Sequence, residues 1–259
     1  MELNHQLTPY LKSLRLSGIL ETLDARNRQA IDGGWSYVEF LSRLLEDEVS
    51  RRAQKQLALR VRRSGMNSTK TLDSFDFNFN PSVNRQQVLD LAAGDYIRQQ
   101  RNVLICGPTG VGKSHLAQAL AHEACVLGFD VLFVQTHKVV QHLNGGQADG
   151  SRDRRLQTYL RPQLLVLDDF GLRPLQPPGP EDLYDLIDGR YERGSILLTS
   201  NRAPSEWPDL FVDPLLASAG LDRLLHHADV LVITGDSFRA RGRQPLQQEV
   251  RLTQPAAVA

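Results

Sequence analysis

The sequence predicts an α/β protein in which a five-stranded parallel sheet with flanking helices follows a small all-α module. Three observations carry that reading. Short apolar runs recur at residues 102–106, 131–135, 164–168, 196–200 and 230–233, each bounded by Gly, Asp or polar punctuation and each too short for a helix. Helical stretches separate these runs, an alternation that builds parallel sheets covered on both faces. Ahead of the first run, up to residue 61, apolar residues fall at helical spacing with no alternating β-branched segment.

In the leading module Leu7, Leu11 and Leu14 recur at helical spacing, as do Leu41, Leu45 and Val49. Gly33 and Gly34 interrupt the pattern, and Ser36 with Glu39 has the spacing of a capping box, so a new helix is expected there. Residues 51–72 hold Arg51, Arg52, Lys55, Arg60, Arg62, Arg63 and Lys70 and no acid. On a helix Arg51, Lys55 and Arg62 form a stripe flanked by Arg52 and Arg63, with Ala53, Leu57 and Val61 opposite. Such a face is either the solvated side of a bundle or a surface for DNA phosphates or an acidic partner; spacing leaves both open. The expected organisation is a helical N-terminal domain over 1–65 for DNA or partner binding and oligomer assembly. A polar linker over 66–71, a main domain over 72–240 and a flexible tail over 241–259 follow.

With 41% hydrophobic and 23% charged residues, the 259-residue chain has a globular composition, which excludes collagen-like and wholly disordered classes. Thirty basic residues balance thirty acidic ones, so any attraction to nucleic acid must come from local patches. Cys106 and Cys125 are too few for a disulfide framework and suit a reducing compartment. With no apolar leader and no apolar run of about 18 residues, a soluble cytoplasmic protein without a membrane partner is expected.

Gly107, Pro108, Thr109, Gly110, Val111, Gly112, Lys113 and Ser114 spell G-x-x-x-x-G-K-S directly after the first strand and before a helical run. Glycines let the backbone aim successive amides at phosphate oxygens, and the helix adds its positive end. Lys113 then neutralises the β and γ phosphates of a nucleotide, and Ser114 offers a hydroxyl to Mg²⁺. The third run ends in Asp168, and Asp169 follows it. One acid holds Mg²⁺ through water and the other orients or deprotonates an attacking water, unless the pair merely caps the next turn. The fourth run delivers Asn201 to the same sheet edge, either to position water or as an ordinary turn former. Arg223 lies in a helical run before the last strand, as a surface cation or as a finger reaching a neighbouring subunit's nucleotide.

A phosphate loop, a strand ending Asp-Asp, a strand ending in Asn and a late Arg, in that order, resemble the AAA+ ATPases. The phrases Leu-Leu-Val-Leu-Asp-Asp-Phe-Gly-Leu (164–172), Arg190-Tyr191-Glu192-Arg193 before Ser-Ile-Leu-Leu-Thr-Ser-Asn (195–201), and Leu221-Asp222-Arg223-Leu224 narrow the match. They resemble the IstB-type ATPases of bacterial insertion sequences, relatives of the DnaC helicase loader, and the likeness extends forward through Thr71-Leu72-Asp73-Ser74-Phe75-Asp76-Phe77. The resemblance implies an ATP-dependent helper of transposition that assembles as a homo-oligomer on double-stranded DNA and recruits and stimulates a partner transposase. It implies Lys113 and Ser114 on phosphate and Mg²⁺, Asp168 on the metal, Asp169 as catalytic acid, Asn201 as first sensor and Arg223 as a finger acting in trans. Asp169 stands where many AAA+ proteins carry Glu. The chain after the last strand is too short for the usual helical lid, leaving Arg239 as the candidate second sensor.

In such ATPases the segment between the second and third strands meets nucleic acid. Here it offers Lys138, Arg152, Arg154 and Arg155 beside a Gly-rich stretch, 145–150, read as a flexible basic loop suited to phosphate contact or simply as a solvated one. No zinc spacing, helix-turn-helix phrase or recombinase carboxylate cluster is present in the sequence, so strand cleavage is expected to belong to the transposase. A helicase loader of the DnaC type shares the ATP site and is the alternative. A metabolic phosphate-loop kinase would need an acceptor segment that the sequence does not offer.

Overall fold

A computed structural model describes residues 2–211 and 213–240; the tail expected over 241–259 lies outside the described residues. Five parallel strands, β1 (Val103–Cys106), β2 (Val131–Gln135), β3 (Leu164–Phe170), β4 (Ser195–Ser200) and β5 (Asp229–Val232), form one sheet in the order β2-β3-β4-β1-β5. Strand alternation sorts the core into two layers. Val103, Ile105, Val166 and Leu197 point to the face covered by α4 (Arg85–Ala92) and α6 (Lys113–Val126). Leu104, Cys106, Leu165, Leu167, Ile196 and Leu198 point to the other, under α7 (Thr136–Asp149), α9 (Gly179–Arg190) and α10 (Pro214–Leu225). Because the chain leaves β1 for the far edge and returns to place β5 on β1's other side, the carboxyl end of β1 opens at a switch point, where α/β sheets bind ligands.

The leading helices are α1 (Glu2–Ser13), α2 (Ser17–Gly33) and α3 (Tyr37–Ser64). Gly34 ends α2 in a left-handed conformation, and Ser36 caps α3 by accepting from Glu39 N at 3.2 Å. Helical period was legible, but the buried face was not: Leu41, Leu45 and Val49 are exposed, whereas Ile19, Leu23 and Leu44 form the small core with Phe40 and Leu11. Polar contacts choose that face. Leu16 gives α2 no side-chain cap, and Glu48 of α3 takes that place, accepting from Gly18 N at 2.6 Å and Ile19 N at 3.4 Å. Arg26 clamps Asp47 with two hydrogen bonds of 2.8 and 2.7 Å.

The second half of α3 lies on the sheet domain, with Leu57 and Val61 against its core and Arg60 Nη1 donating to Cys125 O at 3.3 Å. Within residues 66–71, Met66 is buried in that core and Asn67 N donates to Gln118 Oε1 on α6 at 2.9 Å. The Gly-rich stretch expected as a flexible loop is instead the end of α7, followed by α8 (Arg152–Leu160). Glycine serves close approach there, since a Cβ on Gly146 would lie 2.8 Å from Arg152 Cα. Among the described residues no helix is long and apolar enough to cross a membrane.

Candidate nucleotide site

The phosphate loop leaves β1 at the switch point, where Gly107 N extends the ladder to Ser200 O at 3.1 Å. Gly107 and Gly110 adopt φ of 152° and 88°, and their surroundings exclude any side chain. A Cβ at Gly107 would stand 2.0 Å from Ile233 O, and one at Gly110 2.0 Å from Ser237 Oγ. Residues 233–240 therefore strap the loop: Ile233 N donates to Cys106 O at 2.8 Å and Phe238 N to Gly110 O at 3.0 Å. Pro108 and Thr109 are exposed at the tip, and Val111 is buried beneath.

Gly112 precedes α6 without a side-chain cap, so the first amides of a 14-residue helix face the loop's concavity, the arrangement that suits an anion. Lys113 is buried and donates to Pro108 O at 2.6 Å. Burial holds its pKa below the ordinary lysine value, against the opposing pull of Asp169 and Asp168. Ser114 is half-buried in the first turn of α6.

Asp168 and Asp169 lie near the carboxyl end of β3, where its register with β4 slips between Leu167 and Phe170. Asp169 takes a left-handed φ of 58°, which Asp tolerates better than longer side chains. Thr199 of β4 spans the irregularity, its hydroxyl 2.6 Å from Asp168 Oδ1 and accepting from Asp169 N at 3.0 Å. Thr136 Oγ1 donates to Asp168 O at 3.0 Å. Burial and the neighbouring Asp168 push the Asp169 carboxyl above its ordinary pKa, partly offset by Lys113, Arg239 and His137. Lys113, Asp168, Asp169 and Arg239 thus share one electrostatic environment, with Arg239 exposed on the strap.

Asn201 follows β4 directly at the same edge and is half-buried. Arg223 lies at the opposite edge. Asn102, just before β1, donates to Leu224 O at 3.0 Å and accepts from Ile196 N at 2.9 Å, fixing the end of α10 beside the amino ends of β1 and β4. The Arg223 guanidinium pairs with Asp188 at 2.9 Å and lies over the rings of Tyr184 and Tyr191 at 5.6 and 6.0 Å.

Several expected DNA contacts are engaged within the chain. Arg152 bonds Asp182 at 2.7 Å and Asp185 at 2.5 Å, and Arg155 bonds Asp149 at 2.7 Å, so these arginines pack α8 against α7 and α9 rather than presenting free charge. Arg51 pairs with Glu21 and Arg52 with Glu48. Lys55, Arg62, Arg63, Lys138 and Arg154 are exposed and make no ion pair among the described residues.

Sequence reasoning passed over Thr199, which reads as an ordinary strand former, and Arg190, now fully buried. Arg190 donates to five carbonyls, of Tyr159, Leu160, Pro162, Gln163 and Ser195, tying the end of α8 to the starts of β3 and β4. Burial lowers its pKa to about 10.

Residues 9–245 match the family described as IstB-like ATP binding protein. An insertion-sequence ATP-binding protein of Mycobacterium tuberculosis is 42% identical over 90% of this chain and 93% of its own length. Its counterpart in Geobacillus stearothermophilus is 34% identical over 95% and 98%. In fold, the DnaC helicase loader superposes with a TM-score of 0.56 over 64% of this chain and 97% of its own, at 24% identity. DnaA of Aquifex aeolicus bound to AMPPCP gives 0.54 over 66% and 52%, at 22%. The fold is that of the AAA+ proteins, and the chain belongs to the IstB-like ATP-binding protein family of bacterial insertion sequences.

Proposed function

We propose that this chain is an ATPase that helps DNA transposition: it binds Mg²⁺ and ATP at the phosphate loop, assembles on double-stranded DNA, and recruits and stimulates a transposase that does the cutting. The observation that supports the reading is the placement of the proposed catalytic groups at two edges of one sheet. Lys113, Asp168, Asp169 and Asn201 gather at the carboxyl edge, and Arg223 stands at the amino edge beside Asn102. Within one subunit Arg223 cannot serve its own phosphate loop; a neighbour stacked head to tail would bring one edge against the other.

The residues fit Mg²⁺ with ATP. Ser114 and Asp168 offer hard oxygen ligands, and among the described residues no group of three His, Cys, Asp or Glu could hold a metal alone, so phosphate oxygens and water would complete the shell. When bound, the ion neutralises phosphate charge. Lys113 binds the terminal phosphates, Asp169 accepts a proton from the attacking water, and Asn201 orients that water. Arg239 on the strap is positioned to sense the nucleotide's state.

For DNA, the exposed cations Lys55, Arg62 and Arg63 on α3, with Lys138 and Arg154, are the proposed phosphate contacts. Insertion-sequence relatives that match over nine-tenths of the chain favour transposition over helicase loading.

Mixing tests the divided site. Lys113→Ala and Arg223→Ala proteins should each be nearly inactive alone, yet regain a measurable fraction of wild-type hydrolysis when combined, because mixed neighbours pair one intact loop with one intact finger. Mixtures no more active than the separate variants would contradict a shared site.

A further inference from the structure

We infer that Thr199 is the positioning residue of the acid pair, fixing Asp168 and Asp169 relative to one another through a single hydroxyl. This rests on the ATPase reading above. Where β3 slips register between Leu167 and Phe170, the left-handed turn at Asp169 takes its amide out of the regular ladder. A buried amide without an acceptor costs free energy, and the acceptor supplied is Thr199 Oγ1 at 3.0 Å. The same oxygen lies 2.6 Å from Asp168 Oδ1.

A hydroxyl carries one proton and an ionised carboxylate only accepts, so the direction of both bonds is fixed. Thr199 donates to Asp168 and accepts from the Asp169 amide. Each bond polarises the other, and full burial of Thr199 keeps water from competing. β-Branching holds the hydroxyl's rotamer. The frame around it is also tied: Ser200 Oγ donates to Phe170 O at 2.9 Å beyond the slip, and Thr136 Oγ1 donates to Asp168 O before it. With Oδ1 engaged, Asp168 keeps Oδ2, which has no hydrogen-bond partner among the described residues, for the hydration shell of a cation. Thr199 thus sets how the metal-facing carboxylate sits relative to the acid beside it.

Two variants of the full chain separate the hydroxyl from the shape. Thr199→Val keeps the shape and removes the hydroxyl; Thr199→Ser keeps the hydroxyl and removes a methyl. The measurements are steady-state ATP hydrolysis and equilibrium binding of a fluorescent ATP analogue, with Mg²⁺ and with EDTA. The valine variant should lose about tenfold or more in kcat, in the range seen when partners of metal ligands are removed, with KM raised in step with its weaker Mg²⁺-dependent binding. It should lose the Mg²⁺-dependent gain in nucleotide affinity while keeping the affinity in EDTA, and the serine variant should retain most of both properties.

Wild-type turnover and Mg²⁺ dependence in Thr199→Val would overturn the inference, as would equal losses in the two variants. Should the valine variant lose its fold by circular dichroism, Thr199→Ala takes its place under the same expectations; loss of fold in both would make the hydroxyl a folding requirement and overturn the positioning role. A wild-type protein that binds but never hydrolyses ATP would instead overturn the ATPase reading beneath it.

Discussion

Asp169 carries a cost that its proposed task explains. Its carboxyl is half-buried beside a second carboxylate, and its pKa is raised by that burial first and by Asp168 second. A raised carboxylate pKa means that the ionised form is less favourable in the folded than in the unfolded chain, so removing the charge should stabilise the fold near neutral pH. Asparagine also tolerates the left-handed φ of 58°. Asp169→Asn is therefore expected to raise Tm by about 2 °C without Mg²⁺ or nucleotide, and to lower hydrolysis about 100-fold or more. A variant that melts earlier, or hydrolyses normally, would count against this role. The placement of the loop that leads into Lys113 and Ser114, between β1 and α6, was legible because its glycine pattern is local in sequence. Thr199 was not, since a threonine in an apolar strand announces only β propensity until a slip in a neighbouring strand brings two aspartates to it.

Among the elements, α3 shows what periodicity can and cannot give. A basic second half with Leu57 and Val61 opposite was readable from spacing, and those two residues do face the sheet domain. The exposure of Leu41, Leu45 and Val49 was not readable, because Glu48 capping α2 and Asp47 pairing with Arg26 choose the buried side. Likewise the acids that engage Arg152 lie on α9, thirty residues and more away in sequence.

The Arg26 hydrogen bonds hold Asp47 down to a pKa of about 2. A depressed carboxylate contributes stability that is present above its unfolded value and lost as pH falls through the folded one, here between about 4 and 2. Trp35, between α2 and α3, reports on this module, and fully buried Trp207 on the sheet domain. In Trp207→Phe protein, Trp35 fluorescence should change across that interval, and adding Asp47→Asn should flatten the change while lowering stability at neutral pH. An acid transition unaltered by Asp47→Asn would assign the helix pair's acid sensitivity elsewhere.

For the whole molecule, zero formal net charge means that the proposed DNA affinity would have to come from the cations left unpaired by folding. Replacing Lys55, Arg62 and Arg63 by Gln should reduce the slope of log Kd against log salt by about 0.9 for each phosphate that is no longer neutralised. Arg152→Gln should leave that slope unchanged and lower stability instead, since its charge already serves Asp182 and Asp185. The reverse pattern would move the DNA path to α8.

On the proposed reading, the phosphate-loop edge and the distant Arg223 would make each subunit half of two sites, in a head-to-tail assembly closed by nucleotide between the edges. The mass of the purified protein on a duplex of several tens of base pairs, with ATP, with ADP and without nucleotide, tests that claim most directly. A large complex with ATP and duplex, absent with ADP and absent in Lys113→Ala, is the expected result; a monomer that ignores duplex in every nucleotide state would contradict the account.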